Sequence, residues 1–390
     1  MPTTSPSAPS ALETTLTRAW LRRGPLACAL WPVSLLFRGL AGLRAAAFRL
    51  GLGNSEKLPV PVVVVGNIFI GGTGKTPLTI WLVQALRAAG FTPGVVSRGF
   101  GSKDSAPRPV GPASTPREVG DEPVLIAART GCPVMVGRSR AAAGRALLAA
   151  HPQVDIIVTD DGLQHYALQR DVEVVLFDGR GVGNGWTLPA GPLREPPSRR
   201  RDFTVVNAAQ LTPELAAAVA ASAAAPRCHP VPSNPSDGAP AASSPHPARA
   251  PGAGDAGVWQ MTLAGDTAER LQNRSEQATL LELAQRARSQ GLRVAAAAGI
   301  GNPARFFGML KAAGFDLIEL PLPDHHDFLD RPFAQLEADL ILMTEKDAVK
   351  CAQIEELRND PRLWVVPVAA RIDGALAQQI VEKCRGCSSA

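Results

Sequence analysis

Val62-Val63-Val64-Val65-Gly66-Asn67-Ile68-Phe69-Ile70-Gly71-Gly72-Thr73-Gly74-Lys75-Thr76 decides how the rest of the chain folds. Four consecutive valines predict a strand buried on both faces, because nothing polar alternates with them. After the loop, Pro77 followed by Ile80, Leu82, Val83 and Leu86, with Gly90 as the stop, predicts a helix over 75–89. Between strand and helix, glycines let successive backbone N–H groups curl around an anion, and the helix N-terminus adds partial positive charge. Strand, glycine loop and helix in that order make a phosphate-binding loop. Its nucleotide-binding candidates are Phe69, Ile70, Gly71, Gly72, Thr73, Gly74, Lys75 and Thr76, with Lys75 for the β- and γ-phosphates and the Thr76 hydroxyl for Mg²⁺. The strict spacing asks for glycine at 69, where this chain has Phe69, so the loop is a variant with its glycines at 71, 72 and 74.

Around this stretch strands and helices alternate. Further strands are expected at 94–97, 134–136, 155–159, 172–177 and 203–206. Strands separated by helical stretches imply an α/β fold, a mostly parallel P-loop NTPase-like sheet with helices on both faces. Residues 226–255 break the pattern: eight of the thirty are proline and no apolar period is present, as in a linker or insertion. Order resumes near Val258 with strands expected at 294–298, 316–320 and 339–344, a turn at 299–303 and a helix over 304–313. The expected organisation is an N-terminal segment 1–57, a P-loop domain 58–225, a linker or insertion 226–257, and a second, smaller α/β domain with a C-terminal tail, 258–390.

A phosphate loop needs a carboxylate at the end of a neighbouring strand to hold Mg²⁺, directly or through water. The apolar run after Asp155 closes on Asp160 and Asp161, two adjacent acids that are costly without a cation. Either could be the metal partner. Phosphoryl transfer to an alcohol also needs a proton acceptor. Asp121, in Gly120-Asp121-Glu122-Pro123, is one candidate, although from spacing alone a helix cap would look the same. Asp324-His325-His326-Asp327 is another, since a His–Asp pair can orient or relay a proton.

Composition narrows the partners. The chain has 390 residues, 45% hydrophobic and 19% charged, which excludes wholesale disorder. Aromatics are only 5%, with a single tyrosine, so a base-stacking surface for nucleic acid is not expected. The net charge is +5, and residues 1–50 carry all of it: Arg18, Arg22, Arg23, Arg38, Arg44 and Arg49 against Glu13. The fourteen residues from Gly24 to Phe37 are uncharged and mostly apolar, short of the ~20 that a spanning helix needs. An interfacial helix, apolar on one side and with arginines on anionic headgroups, is the preferred expectation. A helix packed on the protein's own core, a true span and a signal segment are the rivals. Six scattered cysteines give no disulfide framework, and Cys384-x-x-Cys387 has no second pair to complete a zinc site.

Taken together, these motifs resemble the tetraacyldisaccharide 4′-kinases of lipid A biosynthesis. The likeness is carried in order over residues 65–350 by several strings. They are Val65-Gly66-Asn67, the loop Gly71 to Pro77, Ser97-Arg98-Gly99-Phe100-Gly101, Gly120-Asp121-Glu122-Pro123, Asp160-Asp161-Gly162-Leu163-Gln164-His165 and Leu188 to Glu195. The second domain adds Gly299 to Pro303, Asp324-His325 and Thr344-Glu345-Lys346-Asp347-Ala348. The resemblance implies ATP and Mg²⁺ as cofactors and γ-phosphate transfer to the 4′-hydroxyl of a tetraacyldisaccharide 1-phosphate. It implies a peripheral or monotopic enzyme on the cytoplasmic face of the bacterial inner membrane. The implied partners are that lipid and the membrane surface, with no nucleic acid and no obligate protein partner. The nucleotide is expected in a cleft between two α/β/α domains. Asp121 matches the family's catalytic base and His325 its partner, while Asn67, Arg98, Arg140, Gln164, His165, Arg194 and Glu195 match positions around substrate or transition state. Phe100 stands where the family commonly has tyrosine.

Two other classes compete. A P-loop ATPase or GTPase without a small-molecule acceptor would share the loop. The string nearest to a guanine-reading [N/T]-K-x-D is Thr344-Glu345-Lys346-Asp347, with its lysine displaced by one, which favours ATP over GTP. A non-enzymatic membrane scaffold leaves the joint presence of phosphate loop, metal carboxylates and base unexplained.

Overall fold

The computed structural model describes residues 17–99, 106–220 and 257–387. The proline-rich stretch with Cys228 and His229, and Phe100, lie outside the described residues.

The larger sheet contains Val62–Gly66 (β1), Pro93–Ser97 (β2), Arg108–Pro109 (β3), Val134–Val136 (β4), Ile156–Asp160 (β5), Val172–Asp178 (β6), Phe203–Asn207 (β7) and Val258–Ala264 (β8). The smaller contains Thr267–Arg270 (β9), Gln277–Thr279 (β10), Val294–Ala298 (β11), Ile318–Pro321 (β12), Leu340–Thr344 (β13) and Leu363–Val366 (β14). A last strand, Ala369–Ile372 (β15), returns to the first sheet, whose order is β15-β8-β7-β6-β1-β5-β2-β4-β3. The second sheet runs β10-β9-β14-β13-β11-β12. Interior pairs of the first sheet are parallel, from β4–β2 through β7–β8, and only the edge strands β3 and β15 pair antiparallel.

The valines of β1 are fully buried, as their run predicts, and they divide by pleat between two cores. Val63 and Val65 meet Leu78, Leu82, Val83 and Leu86 of the helix Lys75–Ala88. Val62 and Val64 meet Leu147, Leu163 and Phe177 on the opposite face. Each such side chain contributes roughly 1.5–3 kcal/mol on burial.

The domain boundary differs from the expected one. The strand starting at Val258 pairs with β7, and β15 pairs with β8, so both belong to the first sheet. The final helix, Ala375–Cys387, buries Leu376, Ile380 and Cys384 in the core that holds the phosphate-loop helix. The second unit is therefore the segment 267–366, inserted between strands of the first. Parallel and edge pairings across such separations leave no local mark in the sequence.

The N-terminal helix runs over Pro25–Arg49, longer than the uncharged run, and carries Pro32 within it. Only Ala27 and Ser34 on it are buried. The Ser34 hydroxyl donates to Thr187 O at 2.8 Å and accepts from Ala190 N at 2.9 Å, fastening the helix to the loop after β6. By length and composition alone the helix is long and apolar enough to cross a membrane, with a mean hydropathy of 1.6 over 18 residues.

Candidate active site

Functional side chains gather where the sheets end. Ser97, Asp160, Asp178 and Asn207 close β2, β5, β6 and β7, the edge where open parallel sheets bind ligands. Across from them stand the turns after β11 and β13. Between lies a cavity of about 530 Å³, lined by the phosphate loop, Arg98, Asp121, Asp160, Asp161 and Arg194 on one side and Asn302, Arg305, Asp324, His325 and Lys346 on the other.

The loop is braced from within. Gly71 and Gly74 have φ of 98° and 99°, backbone that favours glycine. Asn67, fully buried, donates to Phe69 O at 2.6 Å and Gly71 O at 3.3 Å, and its Oδ1 accepts from Lys75 Nζ at 3.2 Å. Asn67 thus sits inside the loop and shapes it, rather than facing substrate. Phe69 also turns inward: its ring lies in the core beneath the Arg180 guanidinium, 4.2 Å from centroid to Cζ, and does not line the cavity. Ile70 N donates to Pro192 O at 2.9 Å. Asn207 Nδ2 donates to Thr73 O at 2.8 Å and so ties the loop to the end of β7.

Asp160 is buried, accepts from the Thr79 hydroxyl at 3.3 Å through Oδ1, and has no hydrogen-bond partner for Oδ2 among the described residues. Burial and the nearby Glu122 charge push its pKa up. Asp161, with φ of 51°, pairs with Arg194 at 3.3 Å and Lys75 at 3.9 Å. Thr76, Asp160 and Asp161 fit a hard cation that takes oxygen ligands, and an unpartnered buried carboxylate oxygen is what such an ion would satisfy.

Asp121 is the first residue of the helix Asp121–Thr130, whose N-cap is Gly120, and its Oδ1 accepts from the first-turn amide Glu122 N at 2.9 Å. Its Oδ2 lies 3.0 Å from His325 Nδ1, 3.6 Å from Lys350 Nζ and 4.0 Å from Lys346 Nζ. Burial alone would raise its pKa. The hydrogen bond from His325 and the charges of Lys346, His325 and Lys350 outweigh that and bring it down to about 2. In turn the bond to Asp121 raises His325 above the ordinary histidine range, against the effect of burial. Lys346 also pairs with Asp324 at 3.1 Å and Glu122 at 3.4 Å. A carboxylate kept ionised at the wall of a phosphate-loop cavity can accept a proton from a bound hydroxyl.

Of the other expected residues, Arg98 and Arg194 line the cavity. Arg140 does not: it is buried, donates to Gly137 O at 2.9 Å, and reaches the site only through its charge on Asp160 and Asp161. Gln164 and Glu195 bond each other at 2.7 Å. Glu195 is buried, also pairs with Arg199 and accepts from the Tyr166 hydroxyl at 3.2 Å, so it holds its neighbours in place and offers no face to the cavity. His165 is pressed down to about 4 by burial and by Arg140, Arg98, Arg44 and Arg170, which keeps it neutral near pH 7.

The family model for tetraacyldisaccharide-1-P 4′-kinase matches residues 26–385. The chain belongs to the tetraacyldisaccharide 4′-kinase family. A tetraacyldisaccharide 4′-kinase of Janthinobacterium sp. (strain Marseille) is 57% identical over 98% of this chain and 99% of its own length. That of Herminiimonas arsenicoxydans is 54% identical over 98% of each. The fold matches the solved structure of LpxK from Aquifex aeolicus in complex with ATP, with a TM-score of 0.66 and 24% identity over 92% of this chain and 99% of that one.

Asn207 and Arg305 escape sequence reasoning, while Lys346 and Gly301 lie in strings that carry the family resemblance but have no role assigned to them from sequence. Asn207 ends an ordinary apolar strand and has no motif around it. Lys346 belongs to the string compared above with a guanine reader, but that string closes β13 in the second sheet, and Asp347 is buried against Gly299 N at 2.8 Å. Gly301 lies against the phosphate loop: a Cβ there would come 2.9 Å from Gly72 Cα. Arg305 donates to Asn207 O at 3.2 Å and links the second unit to the loop.

Proposed function

We propose that this protein transfers the γ-phosphate of ATP to the 4′-hydroxyl of a tetraacyldisaccharide 1-phosphate, working at the cytoplasmic face of the inner membrane. The observation that carries the reading is Asp121, held ionised by His325 across one cavity from the phosphate loop. The family's relatives are named for this activity.

In this reading the amides of residues 71–76 and the Lys75 ammonium seat the triphosphate, with Lys75 already held in place by Asn67. Thr76, Asp160 and Asp161 would hold Mg²⁺, which supplies neutralisation of charge on the phosphate oxygens. Asp121 takes the proton of the acceptor hydroxyl as its oxygen attacks the γ-phosphorus in line, with ADP leaving. His325 keeps the Asp121 oxygen aimed and charged. Arg98 and Arg194 stand where they can meet negative charge on the phosphoryl group or acceptor. ATP is favoured over GTP because the string nearest a guanine reader, Thr344-Glu345-Lys346-Asp347, has its lysine displaced by one and its Asp347 carboxylate is taken up by Gly299 N and the Thr344 hydroxyl.

The substrate's acyl chains explain the exposed helix Pro25–Arg49. Each buried CH₂ is worth about 0.8 kcal/mol, so a lipid with four acyl chains stays in the bilayer and the enzyme must dock there. Leu36, Leu40 and Leu43 on this helix are 66%, 60% and 69% exposed.

The test is incubation with γ-labelled ATP, Mg²⁺ and tetraacyldisaccharide 1-phosphate in detergent. Label is expected in the lipid. Label appearing only as free phosphate supports an ATPase without a small-molecule acceptor.

A further inference from the structure

The sequence Thr344-Glu345-Lys346-Asp347-Ala348-Val349-Lys350-Cys351 closes β13 and forms the helix Glu345–Cys351. Lys346 and Lys350 are four residues apart and share one face of it. That face looks onto the helix Asp121–Thr130, and both ammonium groups approach the same carboxylate oxygen, Asp121 Oδ2.

The two lysines are not equivalent. Lys346 lines the cavity and is spread over three carboxylates, Asp121, Glu122 and Asp324. Lys350 does not line the cavity. It is nearly buried, with Nζ 5.4 Å from the centre of the Phe328 ring, and that Nζ makes no hydrogen bond among the described residues. Its close charges are Asp121 Oδ2 at 3.6 Å and Asp347 Oδ1 at 3.3 Å. An ammonium so far from water is tolerated only if the charges around it compensate.

Asp347 is fully buried, and its Oδ2 is fixed by the Thr344 hydroxyl at 2.6 Å and by Gly299 N at 2.8 Å. Lys350 therefore hangs from a rigid anchor and presents its charge to Asp121 from behind, on the side away from ligand. The imidazole of His325 and the ammonium of Lys346 border the cavity and are exposed to whatever enters it. Lys350 is the cation beside Asp121 that an arriving phosphate or hydroxyl cannot reach.

We propose that Lys350, anchored by Asp347, is a positioning residue for Asp121, holding Oδ2 oriented through the catalytic cycle without touching nucleotide or lipid. This rests on Asp121 being the base, as proposed above. It explains why this short helix carries a second lysine that faces no ligand. It also makes Asp347 a joint between the base and the Gly299–Asn302 turn that leans on the phosphate loop.

The experiment is a double-mutant cycle on the full chain, with lipid phosphorylation as readout. Lys350→Met is expected to lower kcat about tenfold or more, since it acts through a general base worth far more than that. KM for ATP and for the lipid stay within about twofold. Lys350→Arg, which keeps the charge, recovers most of the loss. In the Asp121→Asn background, Lys350→Met costs less than about twofold, because residues acting through one another are not additive. A full, multiplicative loss in that background overturns the proposal, as does a change confined to KM. Lys350→Gln enters the same cycle if Lys350→Met does not fold, judged by circular dichroism. If Asp121→Asn turns over like the unmodified protein, the base assignment itself fails and this inference falls with it. Multiplicative losses with Asp121→Asn impaired overturn only the role of Lys350.

Discussion

His325 Nδ1 lies 3.0 Å from Asp121 Oδ2, although the two residues are 204 positions apart, Asp121 opening a helix of the first unit and His325 lying in the loop between β12 and β13 of the second. The contact joins the two units at the cavity, and His325 reaches it with φ of 61°, in the left-handed backbone region. Such a conformation persists only where its surroundings enforce it.

Asp121→Asn keeps the shape and the bond from Glu122 N but removes the base. Turnover is expected to fall by about 10²–10⁴-fold, with ATP affinity unchanged. Initial-rate kinetics over both substrates check this, and a loss of only a few-fold reduces Asp121 to a first-turn acid of its helix.

The pair should make stability depend on pH. His325 is raised by Asp121, so its contribution to stability is complete below the ordinary value of about 6.5 and is lost as pH rises through the folded value. Asp121 is lowered, so its share is present above its ordinary range and is lost as pH falls through about 2. The stability difference between the unmodified protein and His325→Ala should therefore be larger at pH 6 than at pH 9. Chemical denaturation at the two values measures it, and equal differences would contradict a charged pair.

Asn207→Ala removes the tie on Thr73 O and leaves that buried acceptor unsatisfied. A loss of about 1–3 kcal/mol in stability is expected, together with weaker ATP binding. Urea unfolding and nucleotide titration report the two effects separately. Loss of stability with unchanged nucleotide affinity would show that the loop holds its shape without Asn207.

Gly301→Ala tests how tightly the second unit seats on the phosphate loop. Its Cβ meets backbone, Gly72 Cα at 2.9 Å, so the two turns must separate. A displacement of about 1 Å costs turnover on the order of 10²-fold where groups from both sides must align. Unaltered kinetics would mean that the contact is not part of the working form.

Leu36→Glu, Leu40→Glu and Leu43→Glu together should leave the fold intact, since all three side chains are exposed. Binding to anionic vesicles should weaken more than tenfold, roughly what loss of several buried methylenes implies. Sedimentation with vesicles decides, and unchanged partitioning would assign attachment to another surface.

What was legible in the sequence was local. The valine run, glycine loop and helix around Lys75 are contiguous, so period and punctuation suffice to place them. Asp160 and Asp161 are legible because two acids closing an apolar strand invite a cation. Asp121 was ambiguous for a physical reason, since a first-turn acid serves a helix whether or not it also serves chemistry, and here it accepts Glu122 N while facing His325. Motif position alone points Asn67, Phe69 and Glu195 at ligand, yet their side chains turn inward, because a motif does not say which way a side chain points. The return of β8 and β15 to the first sheet, and the approach of Asn207 and Lys350, depend on pairings over long separations that leave no periodic trace.

The most direct test of phosphoryl transfer in this cleft is a crystal structure with a nonhydrolysable ATP analogue, Mg²⁺ and the disaccharide lipid. The terminal phosphate should lie on the amides around Lys75, with the 4′-oxygen in line and about 2.6–3.2 Å from an Asp121 carboxylate oxygen. A 4′-oxygen bound well away from Asp121, with the terminal phosphorus facing another base, would contradict the account.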